Sequence, residues 1–337
     1  MLKKMWVILC VVVAAAPVAL LALAVVALPA LAQSTANSQK SASLADPIAS
    51  LLHLGAYAKP ANSQSPARDA VALGLAKAKV YRVASADYPG AGTSVVFDEN
   101  LKTILGDTQF TNTSGFMLEG GVYRLLSLPG AGANTAAGIN TNGQIVGIYT
   151  DASDVQHGFL DTAGVLTNID VPEAARGTTE AIGINDSGEI VGEFEDSAST
   201  QHAFWTTDGV TFNDFDFPGA FQTVAAAVNT AGEIVGYWVD ATNVRHGFLL
   251  QGVIFTSFDF PLSTGTTAIG INDAGEIAGW FSDASNVSHG FIYSKGSFTQ
   301  VDVGGAASTE LTRIKNNGHI TGLYADASGE SHGLTGH

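Results

Sequence analysis

The chain has 337 residues, of which 46% are hydrophobic and 14% are charged, and its formal net charge is -16. This hydrophobic content is enough for one large core or two ordinary ones, which argues against a disordered chain. A nucleic-acid partner is excluded because 15 Lys and Arg residues, without a basic cluster, stand against 31 Asp and Glu residues. The 38 glycines favour short strands and tight turns, and therefore an all-β fold.

Residues 1–32 predict a signal peptide, because two lysines precede a long apolar run and Ala30-Leu31-Ala32 has the small-residue spacing of a cleavage site. We therefore expect a secreted, periplasmic or cell-surface protein. The apolar run from Met5 to Leu28 is nearly long enough to span a bilayer, so an uncleaved anchor is the alternative and the one membrane contact that we expect. The single cysteine, Cys10, lies in this run, so the mature chain is expected to have no disulfide and no cysteine nucleophile.

Residues 33–78 form a linker in this interpretation, rich in Ser, Ala, Asn and Gln, with two predicted short helices. Residues 79–89, "KVYRVASADYP", match the last strand of the repeat described next. Residues 93–128 contain three apolar segments that predict a degenerate first copy of that repeat. The predicted repeat domain is therefore 79–337.

A motif G-x-[IV]-[VAT]-G recurs every 43 to 45 residues, and a histidine and an aspartate recur with it. The first glycines of the five copies are Gly143, Gly188, Gly232, Gly275 and Gly318. Each copy has four short apolar segments separated by turn residues, such as "TTAIGIN", "EIAGWFSD", "HGFIYS" and "FTSFDFP". Four strands at this period are typical of one blade of a β-propeller.

Six blades follow if the segment at 79–89 completes the last copy, which has only three segments of its own. The sequence therefore predicts a six-bladed β-propeller of four-stranded blades that an N-terminal strand closes, and we expect a monomer. Closure in this way would remove exposed sheet edges. A β-solenoid with two coils per repeat is the alternative.

The motif "GINDSGEIVG" from Gly183 to Gly192, followed by His202-Ala203-Phe204, resembles the HAF-repeat family of extracellular bacterial repeat proteins. The resemblance covers about residues 93–337. Most copies here have Gly after the histidine, and Lys315 stands where the other copies have Asn. The resemblance implies an exported repeat protein and no established activity.

An Asp and a His six residues apart recur in five copies, and we call these pairs the structural ladder. We interpret each pair as a hydrogen bond that closes the loop between the second and third strands. The pairs are Asp151/His157, Asp196/His202, Asp240/His246, Asp283/His289 and Asp326/His332. A metal or acid-base role is the alternative. Within the first loop, Asp151, Ser153 and Asp154 are candidate calcium ligands because they offer oxygen atoms at alternating positions. We expect no other cofactor.

Function is expected where the copies differ, in the loops at the face that carries the Asp-to-His segments and the connections after the Pro element. The candidate ligand-binding residues there are Glu173, Arg176, Phe221, Gln222, Arg245 and Glu310. Glu193 and Glu195 could act as an acid and a base if they faced a cleft. The chain lacks the motifs of a serine-hydrolase elbow, a P-loop, a zinc protease or a dinucleotide site.

The sequence favours a binding module for a glycan or a protein over an enzyme. The alternatives are a metal-assisted hydrolase of the lactonase kind, which rests on analogy with other propellers, and a structural envelope protein. Ligands converging on the axis would support the enzyme, and an aromatic rim would support the binding module.

Overall fold

The computed structural model describes residues 83–89, 94–100, 102–108, 114–128 and 130–337, and its regular elements are all β-strands. The predicted leader at 1–32 and the predicted linker helices at 33–78 lie outside these residues. Within the described part of the chain, no helix has the length and hydrophobicity to cross a bilayer.

The strands form six antiparallel blades, each with four strands in order from the axis outward. Blade 1 is β2 (Ser94–Glu99), β3 (Thr103–Thr108), β4 (Ser114–Glu119) and β5 (Val122–Leu125). Blade 2 is β6 (Asn134–Ile139), β7 (Ile145–Thr150), β8 (Gln156–Thr162) and β9 (Val165–Ile169). Blade 3 is β10 (Glu180–Ile184), β11 (Ile190–Glu195), β12 (Gln201–Thr206) and β13 (Asn213–Phe215).

Blade 4 is β14 (Gln222–Val228), β15 (Ile234–Val239), β16 (Arg245–Gln251) and β17 (Ile254–Phe258). Blade 5 is β18 (Gly265–Ile271), β19 (Ile277–Ser282), β20 (Ser288–Ser294) and β21 (Ser297–Val301). Blade 6 is β22 (Ser308–Ile314), β23 (Ile320–Ala325), β24 (Ser331–Gly336) and, as its outer strand, β1 (Val83–Ser85). One parallel bridge, Ser114 to Asn134, also links blades 1 and 2.

The ring closes as the sequence predicts. Strand β1 pairs antiparallel with β24, with Val83 opposite Gly336 and Ser85 opposite Leu334. The two ends of the described chain therefore share one sheet, and the prediction of a six-bladed propeller closed by an N-terminal strand is confirmed. The solenoid alternative is wrong, because each repeat closes its own four-stranded sheet instead of forming coils.

The two glycines of the repeat motif have different physical causes. The first, for example Gly188, has φ of +84° in the turn between the inner two strands, a conformation that other residues adopt at a cost. The second, for example Gly192, lies opposite a β-bulge, and a Cβ there would be 1.9 Å from the carbonyl oxygen of Glu180. The motif thus combines a tight turn with a close backbone approach, which is why both glycines recur.

Apolar side chains fill the spaces between neighbouring blades. Phe281 of blade 5 stacks on Phe260 at the end of blade 4, with ring centroids 3.6 Å apart, and Trp238 of blade 4 stacks on Phe217 after blade 3 at 4.4 Å. These aromatic side chains are therefore packing elements of the ring. The inner strands all run in one direction, so the propeller has two unlike faces. The turn face carries the turns between the first and second strands, and the loop face carries the loops between the second and third.

Candidate functional site

A cavity of about 550 Å³, lined by polar and apolar residues, lies on the axis at the turn face, and we call it the cup. The ends of the inner strands and the turns that follow them form its wall, so every blade contributes to it. Its rim carries exposed polar side chains: Lys102, Thr141, Asp186, Thr230, Asp273 and Asn316. The cup therefore opens to solvent at the end of the propeller opposite the loop face.

The guanidinium of Arg313 closes the cup at its floor. Arg313 is 7% exposed and stands on β22 at a position where blades 2 to 5 have only Gly or Ala. Its Nη atoms donate to backbone carbonyls of five blades, at distances from 2.8 to 3.3 Å. The acceptors are all bulge residues: Ala137, Ile182, Ala226, Ile269 and Thr312. A single side chain thus satisfies a ring of carbonyls that the six-fold repeat brings to the axis.

Asp98 of blade 1 is the counter-charge to this cation. It is 3% exposed, and its Oδ2 accepts from the Ile139 amide at 2.9 Å. The Nζ of Lys315 lies 2.5 Å from its Oδ1, and the Nε of Arg313 lies 3.7 Å from its Oδ2. Because a buried carboxylate is costly unless it is paired, Asp98, Arg313 and Lys315 are best understood as one unit.

Lys315 also interrupts a belt of asparagines around the cup. The side-chain amide of each belt asparagine donates to the backbone carbonyl of the next blade, and its Oδ1 accepts from its own turn in most blades. The donors are Asn100, Asn140, Asn185, Asn229 and Asn272. At the sixth position Lys315 pairs with Asp98 instead, so the non-repeated residues concentrate at the seam between blades 6 and 1.

Two further titratable groups lie at this seam. Glu99 is 8% exposed, its Oε1 lies 3.2 Å from the Nδ1 of His319, and its Oε2 accepts from the Thr335 hydroxyl at 3.4 Å. Burial raises the pKa of Glu99, and the neighbouring side chains of His319 and Lys315 oppose that shift. The seam therefore has a titratable wall, whereas the belt asparagines form neutral walls elsewhere.

The histidine ladder lies at the loop face, away from the cup. The Nδ1 of His157 is 2.9 Å from Asp170, and its Nε2 is 3.6 Å from Asp151. The same arrangement recurs in the other four copies. In each copy the imidazole also packs on an aromatic ring of the second strand, as His246 does on Trp238 at 4.5 Å.

The sequence interpretation missed one partner of each histidine, the aspartate that follows the fourth strand. These residues are Asp87, Asp170, Asp216, Asp259 and Asp302. Their signal is visible in the sequence, because an Asp stands two residues before the Pro or Gly of each Pro element. The aspartate that was predicted makes a longer contact and has a second role in its loop.

That second role is to cap the loop in which the candidate calcium ligands lie. The Oδ1 of Asp151 accepts from the amides of Ser153 and Val155, and Asp154 has φ of +62°. These backbone hydrogen bonds lower the pKa of Asp151. The loop is therefore an Asx turn, and the calcium site at Asp151, Ser153 and Asp154 stays a prediction.

The six candidate ligand-binding residues fall into two groups at the loop face. Glu173, Arg176 and Phe221 are exposed on the rim, and Gln222 is half-buried opposite Val239 at the start of β14. In contrast, Glu310 is fully buried on β22, and Arg245 packs over the Tyr237 ring at 4.8 Å. The structure does not bring the six together in one cleft, and their binding role stays a prediction.

A second carboxyl group accompanies Glu193 in the interior. Glu180 and Glu193 are paired across β10 and β11, and each is 4% exposed. Burial raises the pKa of Glu193 to about 7, and burial together with the Glu193 charge raises the pKa of Glu180. One oxygen of each carboxyl has no hydrogen-bond partner. Glu195 is half-buried, and Glu180 is the acid directly opposite Glu193, so the acid-base role of Glu193 and Glu195 stays a prediction.

The molecule is thus a six-bladed propeller with a cup at one end of its axis. No protein-family model matches the sequence, and no curated protein matches it. The fold is similar to AofleA from Arthrobotrys oligospora, at 10% identity and a TM-score of 0.47, over 73% of this chain and 84% of that one.

Two other solved structures are similar to a comparable degree. A lectin from Aleuria aurantia, described as a six-bladed β-propeller with a novel fucose recognition mode, has 10% identity and a TM-score of 0.46 over 72% of this chain and 91% of that one. TolB from Acinetobacter baumannii has 10% identity and a TM-score of 0.49 over 66% of this chain and 55% of that one. At these identities the likenesses concern the fold alone.

Proposed function

We propose that the protein is an exported binding module, and that the cup takes a glycan. The observation that carries the proposal is the position of the cup: the residues that break the repeat, Asp98, Arg313 and Lys315, converge on it. The other repeated polar groups, the belt asparagines and the histidine ladder, recur in most blades and form hydrogen bonds within the ring. A cavity of about 550 Å³ also lies within the range of roughly 300 to 1,000 Å³ that is usual for small-molecule sites.

The charges of the lining favour a neutral ligand. Four acidic and three basic side chains line the cup, so their charges nearly cancel, and at the floor Asp98 pairs with Arg313 and Lys315. Aliphatic side chains such as Ile139 and Ile184 also line the cup, and hydroxyl and amide groups lie beside them, as at Thr141 and Thr230. A neutral ligand with many hydroxyl groups, which is a glycan, fits this lining by hydrogen bonding. The signal peptide predicted at residues 1–32 and the HAF-repeat resemblance support export.

A hydrolase in the cup is less well supported than a binding module. The buried carboxylate of Asp98 is held by the Glu99 and Ile139 amides as well as by the two cations, so it is not free to move a proton. Glu99, the other buried acid, is engaged by His319 and Thr335. Binding needs only the static donors and acceptors that the lining provides.

A glycan array probed with the labelled full-length protein, followed by calorimetric titration of the best glycan, tests the proposal. We expect Thr141→Trp, which places an indole at the cup rim, to weaken binding by about 100-fold because the ring excludes the ligand. The matched control is Ala152→Trp, an equally exposed position on the loop face, which is expected to bind as the wild type does.

Two results would contradict this function. If Phe221→Ala abolished binding and Thr141→Trp did not, the ligand would lie on the loop face. If no glycan bound while a protein from the same source did, the cup would not be a glycan site.

A further inference from the structure

Blade 6 contains a group of metal-ligating side chains on the loop face, remote from the cup. Asp326, Glu330 and His332 each place one ligand atom so that the three atoms lie within 4.8 Å of one another. The Oδ2 of Asp326 and the Nε2 of His332 are 3.6 Å apart. Two ligands that hold one tetrahedral zinc ion at about 2.0 to 2.1 Å lie about 3.4 Å from each other, so this pair is close to chelating distance.

Asp87 determines which nitrogen of His332 is available. Its Oδ2 lies 3.0 Å from the Nδ1 of His332, and a carboxylate can only accept, so Nδ1 carries the hydrogen. In the neutral imidazole the lone pair is then on Nε2, the atom that faces Asp326. A carboxylate behind a histidine is the usual support of a metal-binding imidazole, because it fixes the ring and increases its basicity.

The loop of blade 6 also fixes the carboxylate of Asp326. Its Oδ1 accepts from the amides of Ser328 and Glu330, at 2.8 and 3.1 Å. This turn leaves Oδ2 directed at His332. Two of the three ligands are therefore held in place by hydrogen bonds that do not involve the ligating atoms.

The other four complete copies of the repeat provide an internal comparison. They have the same histidine between two aspartates, but none has an acid at the position of Glu330. The equivalents are Val155, Thr200, Val244 and Val287. Among the residues that the structure describes, the group in blade 6 is also the one cluster with three such ligands.

We propose that blade 6 binds one Zn²⁺ ion through Asp326, Glu330 and His332, with water completing the coordination. The imidazole ligand favours zinc over Ca²⁺ or Mg²⁺, which prefer oxygen ligands alone. Since Asp87 follows β1 and holds His332 of β24, the ion also strengthens the closure of the ring.

The test uses full-length protein without a histidine tag, freed of metal by a chelator and kept at mildly alkaline pH so that His332 is neutral. Calorimetric titration with ZnCl₂ is expected to give one ion per chain and a rise in melting temperature. Glu330→Val, which installs the residue of blades 2, 4 and 5, is expected to weaken binding at least tenfold. Glu330 is exposed, so this variant should fold normally.

Thr200→Glu is the reciprocal variant, because it adds the third ligand to blade 3 beside Asp196 and His202. It is expected to raise the stoichiometry from one ion to two. The proposal fails if Zn²⁺ gives neither heat nor a thermal shift. It also fails if Glu330→Val binds as the wild type does, if about five ions bind with equal affinity, or if Ca²⁺ binds more tightly than Zn²⁺.

Discussion

At the scale of single residues, the least typical side chain is Glu193, an acid inside the axial core. Its equivalents in blades 2, 4, 5 and 6 are Ile148, Tyr237, Trp280 and Leu323, which belong to one apolar cluster around the axis. Burial raises the pKa of Glu193 to about 7, although the charge of Arg245 opposes the shift. The group is therefore protonated in the folded state over a pH range in which it is ionised in the unfolded chain.

This shift predicts the pH dependence of stability. A carboxyl whose pKa rises on folding, here from 4.5 to about 7, stabilises the fold below pH 4.5, and that stabilisation is lost as the pH rises toward 7. The pKa of His332, raised by its hydrogen bond to Asp87, extends the loss above pH 6.5 because folding favours its charged form. We expect the free energy of unfolding, measured in urea, to fall between pH 4.5 and pH 7.

Glu193→Gln is expected to flatten that decline, because the amide does not ionise, and to make the protein more stable than the wild type above pH 7. Glu173→Gln, at an exposed position, is the matched control and is expected to follow the wild type. A wild-type stability that rises from pH 4.5 to pH 7, or a Glu193→Gln profile as steep as that of the wild type, would contradict this explanation.

At the scale of elements, β1 differs from the outer strands of the other blades. It has three residues and is joined to its partner β24 by hydrogen bonds alone, whereas β9 follows β8 through the tight turn from Thr162 to Val165. Asp87 reinforces this closure, because it accepts from the Gly333 amide at 3.0 Å in addition to its contact with His332. The pairing of β1 with β24 therefore depends on few contacts.

Replacing the equivalent aspartates in two blades separates local from global effects. Asp87→Ala is expected to increase the amide exchange rate of β24 about tenfold, as the loss of a hydrogen bond worth about 1.4 kcal/mol would. Asp170→Ala removes the same contact to His157 but leaves the covalent turn of its hairpin, so we expect a smaller change in β8. Equal exchange rates in the two variants would mean that closure depends on other contacts.

At the scale of the whole molecule, the sequence predicts the ring well because each blade must bury the same two faces. The first three strands of blade 5 begin and end within about a residue of the predicted segments, and 79–89 supplies the closing strand. The histidine partners Asp170 and its equivalents were missed although their spacing recurs, because the aspartate in the same loop already gives each histidine a partner in the sequence.

The cup was missed for a different physical reason. Its wall is built from the repeated turn motif, and a motif that recurs in every blade indicates a structural role. Its floor depends on contacts between blades that are far apart in sequence. Arg313, for example, donates to carbonyls 176 and 131 residues away, at Ala137 and Ile182. The visible signal was the break in the repeat at Lys315 and at Arg313. In the sequence each is only an exception to the consensus, because their common partner Asp98 lies in another blade.

The central claim is that ligand binds in the cup at the turn face. Amide hydrogen exchange, measured with and without the best glycan of the array, tests it most directly because it locates the bound ligand on the protein. We predict slower exchange at the turns that line the cup, around Thr103, Thr141 and Thr230. Slower exchange confined to the loop face, around Phe221 and Arg245, would contradict the account.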